Sequence, residues 1–324
     1  MSPASATARL AEPRPLPGPA PALARPGAPA PRPEARGSAP GWPLLRACRP
    51  RQWLKNVVVV IAPATAGAMS RPGAAAALLG AFVSFGLMAS ATYLVNDVRD
   101  RDSDRRHPRK RFRPVAAGSL SVPAALAAAL LLALSALAVA WLVRPALSGV
   151  VLGYCGLTLS YSLWWRNVVV LDLVAVAGGF VLRAVAGAAA VDVSLSRAFL
   201  VVTSACALFL IVGKRHAELV DPARRGGSRA VLRRYSRRWL RVLMAGSATL
   251  GFLAYAAWSL GRPAGGPWFV LSVLPFGLWL GRYAALVRRG AGEAPDELVV
   301  HDAGLLVLGV LWGVLFISGL YGAG

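Results

Sequence analysis

The residues with the clearest chemical potential form one run, Asn96-Asp97-Val98-Arg99-Asp100-Arg101-Asp102-Ser103-Asp104. Asn96, Asp100 and Asp104 recur every fourth residue, so on a helix they stack along one face, with Asp97 at its border. Such a column of oxygen donors suits a hard divalent cation. Magnesium uses one or two carboxylates and completes its shell with water and substrate phosphate oxygens. The column therefore points to a magnesium-bound diphosphate, with Asn96, Asp97, Asp100 and Asp104 as metal ligands and the carboxylates of Asp97, Asp100 and Asp104 as the catalytic groups. The competing reading is a solvated, ion-paired helix end, because each Asp has Arg neighbours. Position favours the first reading, since the column begins inside an apolar stretch, where an acidic side chain is costly and usually functional.

Other ionisable groups follow the same pattern. Lys110-Arg111-Phe112-Arg113-Pro114, with Gly118 beyond, places guanidinium and ammonium groups just past the column, where they would suit the remaining charge of a phosphorylated substrate or anchor the chain at lipid headgroups. Gly213-Lys214-Arg215-His216-Ala217-Glu218-Leu219-Val220-Asp221 repeats the mixture; Glu218 and Asp221, three apart, would hold a second metal or orient Lys214. Arg224 to Arg241 reads as an anionic-lipid contact, and His216 as a headgroup-level residue. Asp172 and Arg183, eleven apart in one apolar stretch, return nearly to one helix face, where they would meet substrate or pair with other helices. Lys55 beside Arg51, Tyr93 one turn above Asp97, and Tyr161 with Arg166 lie at the ends of apolar stretches on the same side, whereas Trp53, Trp164 and Trp165 read as interface anchors.

The elements that carry these residues are membrane spans. Of the 324 residues, 56% are hydrophobic, more than a soluble domain of this size can cover. The formal charge of +22 is concentrated in short segments between apolar runs, so it is a topology signal first, and nucleic acid is excluded as a partner. Cys48, Cys155 and Cys206 stand singly and suggest neither a disulfide framework nor a zinc site. Residues 1–41, rich in Pro, Ala and Arg, are expected to be a disordered cytoplasmic tail without a signal-peptide core. Residues 42–324 are expected to form one all-α, polytopic membrane domain of about nine transmembrane helices, near 53–70, 73–95, 121–143, 146–164, 168–190, 195–213, 240–260, 267–287 and 303–322. Pro63 interrupts the first of these, so eight spans plus a re-entrant piece is the alternative. Lys and Arg crowd alternate loops, while the loops between offer only Arg71, Arg144, Arg197 and Arg262. Nine spans then put the N-terminus and the Asp column inside and the C-terminus outside a cell membrane.

Asn96-Asp97-x-x-Asp100-x-x-x-Asp104, followed by Arg111-x-Arg113-Pro114 and Gly118, resembles the first aspartate-rich motif of the UbiA-type prenyltransferase superfamily, helical membrane enzymes with a magnesium-diphosphate site on the cytoplasmic side. Arg49-Pro50-Arg51-Gln52-Trp53-Leu54-Lys55-Asn56, Leu171-Asp172, Gly179-Phe180-Val181-Leu182-Arg183-Ala184 and Gly213-Lys214-Arg215 are similar to a branch that uses phosphoribosyl diphosphate as donor and a polyprenyl phosphate lipid as acceptor, in cell-wall arabinan synthesis. The resemblance covers about residues 45–322. It implies that the Asp column holds Mg2+ on the pyrophosphate. Lys55, Tyr93, Asn96, Lys110, Arg111, Arg113, Tyr161, Arg166, Lys214 and Arg215 would form the substrate site. Two departures stand out: Glu218-x-x-Asp221 replaces the DxxxD of aromatic-substrate members, and Arg166-Asn167 stands where Lys is expected. The alternatives are transfer of an isoprenoid from its diphosphate to an aromatic acceptor and, in another class, transport; a homo-oligomer is left open.

Overall fold

In a computed structural model, the chain is described over residues 42–108, 110–220, 234–262, 266–292 and 295–321. The expected N-terminal tail lies outside these residues. No strand occurs among them. A short helix, α1 (Trp42–Cys48), leads into a 3-10 segment (Pro50–Val60) continued by α2 (Ile61–Thr65). Then follow α3 (Ala74–Arg99), α4 (Arg101–Arg105), α5 (Pro114–Ala117), α6 (Val122–Val143), α7 (Pro145–Leu163), α8 (Val169–Val191), α9 (Arg197–Val220), α10 (Arg237–Leu260), α11 (Trp268–Arg288), α12 (Pro295–His301) and α13 (Ala303–Tyr321).

Eight of these helices, α3, α6 to α11 and α13, are long and apolar enough to cross a bilayer. Their starts carry ordinary helix signals. Ser121 and Ser236 accept hydrogen bonds from the backbone N–H of Ala124 and Trp239, and Pro145 opens α7, where its missing N–H costs nothing. In α6 the small residues Ala125, Ala129, Ala136 and Ala140 are buried while Leu126, Leu130, Leu134 and Leu142 face outward. Small residues let backbones approach where lipid offers no hydrophobic drive between helices. The buried side accordingly packs on α3.

The first expected span, the one that Pro63 interrupts, is not a single α-helix. It is an 11-residue 3-10 helix followed by a five-residue α-helix, bounded by Pro50 and containing Pro63. Side chains three apart eclipse on a 3-10 helix, and burial follows that period. Arg51, Leu54 and Val57 are exposed; Asn56 and Val59 are buried, with Trp53 half-buried; Gln52, Lys55 and Val58 lie between. The Trp53 indole donates to Ser90 Oγ at 3.0 Å and sits against Gly86, where a Cβ would fall 2.6 Å from the ring. Farther on, a Cβ at Gly187 of α8 would lie 1.7 Å from the Val59 carbonyl oxygen, so only glycine admits this approach. Arg49 pairs with Asp97 near one end of α3, and Arg71, just before the other end, donates to the Val191 carbonyl at 3.4 Å. The segment therefore runs alongside α3, as an apolar stretch that is not a long α-helix beside the eight candidate spans.

Candidate functional site

The Asp column survives a small break. Helical hydrogen bonds continue from Asp100 N–H to the Asn96 carbonyl (2.9 Å) and from Asp104 N–H to the Asp100 carbonyl (2.8 Å), but Asp100 itself separates α3 from α4. As a result the column divides. Asp97 and Asp104, seven apart and so on nearly the same helix face, are 1% and 2% exposed and share Arg113, whose Nη1 donates to Asp97 Oδ1 at 3.2 Å and to Asp104 Oδ2 at 2.7 Å. Asp100 instead takes both its bonds from Arg166 Nη1, at 2.8 and 3.1 Å. Arg113 is held at the mouth of the column by its extended backbone as N-cap of α5, with Pro114 next; Gly118, at φ 80°, closes that helix.

A further guanidinium joins them. Arg49 donates to Asp97 Oδ1 and lies 4.9 Å from the centre of the Tyr93 ring, while the Tyr93 hydroxyl donates to Gln52 Oε1 at 3.1 Å. Its backbone is left-handed, φ 53°, a conformation that side chains other than Gly pay for and that clusters at functional sites. Arg49 is absent from the sequence-derived site because it reads as a topology charge. It stands just before Pro50, three residues from Gln52, whose side chain meets the same Tyr93.

The donor set fits magnesium of the substrate-shared kind. Asp97 Oδ2 is buried with no hydrogen-bond partner, and Asp97 and Asp104 would supply the one or two carboxylates such an ion uses. Among the described residues no group of three His, Cys, Asp or Glu side chains is close enough to cage a metal without substrate.

Other expected site residues are distributed differently. Asn96 and Lys214 are half-buried, Lys110 is exposed, and Arg111 is exposed against the Phe112 ring, 4.9 Å from its centre. Arg215 and Tyr161 meet at Asp172, not at the column. Asp172 is fully buried and accepts from Tyr161 (2.9 Å), Tyr235 (3.2 Å) and both sides of the Arg215 fork (2.6 and 2.8 Å), and Arg215 also reaches Glu218 at 2.8 Å. Burial and the adjacent Asp172 carboxylate push the Tyr235 phenol well above its usual range, so it stays a donor. Asp221 and residues 224–233, assigned from sequence to a second metal and to lipid contact, lie outside the described residues.

An apolar cavity of about 510 Å³ opens between the first apolar segment and α8 to α11 and α13, reaching Ser196 and Arg262 at the end of the bundle away from the Asp column. Val58, three residues past Lys55 on the 3-10 helix, and Ile61, the first residue of α2, line it from one side; Phe180, Phe209, Trp312 and Phe316 line it from the other helices. One segment thus runs from charged side chains to an apolar hollow.

Residues 57–308 match the UbiA prenyltransferase family. The chain is 39% identical over 287 residues to a decaprenyl-phosphate phosphoribosyltransferase of Corynebacterium glutamicum, covering 86% of each chain. It is 38% identical to the Mycobacterium tuberculosis protein of the same name, over 83% of this chain and 91% of that one. A UbiA homologue from Archaeoglobus fulgidus, solved with DMAPP and Mg2+, superimposes with a TM-score of 0.65 at 17% identity, over 85% of this chain and 97% of that one, a likeness of fold.

Proposed function

Since the chain belongs to the UbiA prenyltransferase family, we propose that it transfers 5-phosphoribose from phosphoribosyl diphosphate to a polyprenyl phosphate and releases pyrophosphate. The names of the relatives at 38–39% identity point to this donor and acceptor. The observation that carries the reading is the 3-10 segment on which Gln52 meets Tyr93, one turn from Asp97, while Val58 lines the apolar cavity. A phosphate group and a long apolar chain would then lie along one segment.

Asp97 and Asp104, with Asn96 and Asp100 beside them, would hold the magnesium that neutralises the leaving pyrophosphate. Arg49 and Arg113, already in the column, are placed to donate to phosphate oxygens when the donor arrives, and Lys55, Lys110, Arg111, Arg166 and Lys214 would meet the second, 5-phosphate group. That second phosphate accounts for a number of cations beyond what a single prenyl diphosphate needs. The acceptor oxygen is already ionised near neutral pH, given a second phosphate pKa of about 6, so no strong base is required. The protein needs only to line up the lipid phosphate with the anomeric carbon and stabilise the departing charge. The polyprenyl chain would fill the apolar cavity and continue into the bilayer. Magnesium as the specific cation, a cytoplasmic site and a role in arabinan precursor supply belong to the same proposal.

The test is product analysis with purified protein, magnesium and polyprenyl phosphate. Lipid-linked phosphoribose and pyrophosphate should form from phosphoribosyl diphosphate, and charge removal at Lys110 or Arg111 should raise KM or lower kcat. Prenylated aromatic product from a prenyl diphosphate, with no phosphoribosyl lipid, would move the assignment to aromatic prenyl transfer.

A further inference from the structure

Arg183 has no place in the chemistry above, yet it is the most elaborately held cation in the bundle. It is 7% exposed, in the middle of α8. Its Nε donates to Asn56 Oδ1 at 2.8 Å, its Nη1 to the Gly179 carbonyl at 2.7 Å and its Nη2 to the Tyr154 hydroxyl at 3.0 Å. The rings of Tyr154, Phe180 and Phe85 surround it at 4.9, 5.5 and 6.0 Å. Every one of these partners is neutral. A buried guanidinium without a carboxylate is expensive, so its retention calls for something the fork does that an apolar side chain would not.

The 3-10 segment supplies that need. Runs of 3-10 helix beyond three or four residues are uncommon because their hydrogen bonds are poorer than those of an α-helix. This one has 11 residues. Relaxation to an α-helix would change the angular step from about 120° to about 100° per residue, so that Gln52 and Val58, in line on the 3-10 form, would stand about 120° apart with Lys55 between them. Two contacts from α8, one helical turn apart, oppose this: Arg183 grips the Asn56 side chain, and Gly187 admits the Val59 carbonyl. Asn56 and Val59 are the buried members of the period-three pattern, next to Lys55 and Val58 on the working face.

We propose that Arg183, with Gly187, is a positioning residue that locks the first apolar segment in its 3-10 register and so fixes Lys55 against the donor phosphate. This rests on the reading of Lys55 as a donor-phosphate ligand. A double-mutant cycle between Arg183 and Lys55 tests it in full-length protein, reading KM for phosphoribosyl diphosphate, kcat and thermal stability in detergent. Loss of one charge-assisted contact at Lys55 should raise KM about tenfold or more. Arg183→Met should do the same with a smaller change in kcat, and Arg183→Lys, which still offers a donor to Asn56, should recover most of it. In the Lys55→Ala background, Arg183→Met should add no further rise in KM. Gly187→Ala, whose Cβ would displace Val59, should reproduce the Arg183→Met phenotype and serves if that variant does not fold. Additive effects on KM, or a fall in stability with unchanged KM in both Arg183→Met and Gly187→Ala, would overturn the positioning role while leaving the donor assignment intact. An unchanged KM in Lys55→Ala alone would instead remove the donor-phosphate reading of Lys55, and the positioning role with it.

Discussion

At the scale of single residues, the contrast between Asp104 and Asp102 is the sharpest. Asp104 is buried and shares Arg113 with Asp97, whereas the Asp102 side chain is 85% exposed and reaches Arg105 only at 3.8 Å. A surface pair of the latter kind contributes little. Asp104→Asn should therefore lower kcat/KM by about 100-fold or more, while Asp102→Asn stays within about twofold. Steady-state kinetics on monodisperse protein, with pyrophosphate release as the signal, checks both; equal losses would show that burial and the Arg113 link do not mark the working carboxylates. The four-residue spacing made this column legible in the sequence. Its division was not. The break at Asp100, which sends that carboxylate to Arg166 and leaves Asp97 and Asp104 sharing Arg113, depends on where Arg166 arrives from the 3-10 turn between α7 and α8. Arg49 was hidden for a related reason, because its pairing with Asp97 depends on the left-handed turn before Pro50 and on how the first segment lies against α3.

At the scale of elements, Asp172 joins α7, α8, α9 and the approach to α10 through Tyr161, Arg215 and Tyr235. Its carboxylate has donors for about all the lone pairs it owns, so the geometry favours a fastening role over a ligand role. Removing one partner of a buried pair strands the other charge and typically costs ~3–5 kcal/mol. Asp172→Asn should lower thermal stability by an amount of that order, with KM for the donor unchanged in the fraction that remains folded. A raised KM at full stability would return Asp172 to the substrate site. The eight long helices were legible because hydropathy alone outlines them, and α3 merely continues to Arg99 past its expected end near residue 95. The first segment was legible as an apolar stretch but not as a 3-10 helix. What selects that form is tertiary: Ser90 and Gly86 receive Trp53, and Arg183 and Gly187 receive Asn56 and Val59.

At the scale of the whole molecule, whether the unusual first segment crosses would decide which side each terminus occupies. Eight long helices alone would leave both ends of the bundle on one side; adding the 3-10 segment with α2 would separate them. At about 2.0 Å rise per residue for the 3-10 part and about 1.5 Å for the α part, Pro50–Thr65 reaches roughly 30 Å, the thickness of a hydrocarbon core. Its contacts agree, since Arg49 meets Asp97 at one end of α3 and Arg71 meets Val191 near the other. The charges divide the same way, with the Asp-column end carrying the loop from Arg99 to Arg113 and the opposite end only Arg71, Arg144, Arg197 and Arg262. Positively charged loops stay inside, so reporters fused after Gly118 or within residues 224–236 should read cytoplasmic, and those near Gly265 or at Gly324 should read exported. A cytoplasmic C-terminus would mean that the 3-10 segment enters and leaves on one face. The Asp column would keep its side, but Arg49 and Arg71 could not then stand at opposite ends of α3.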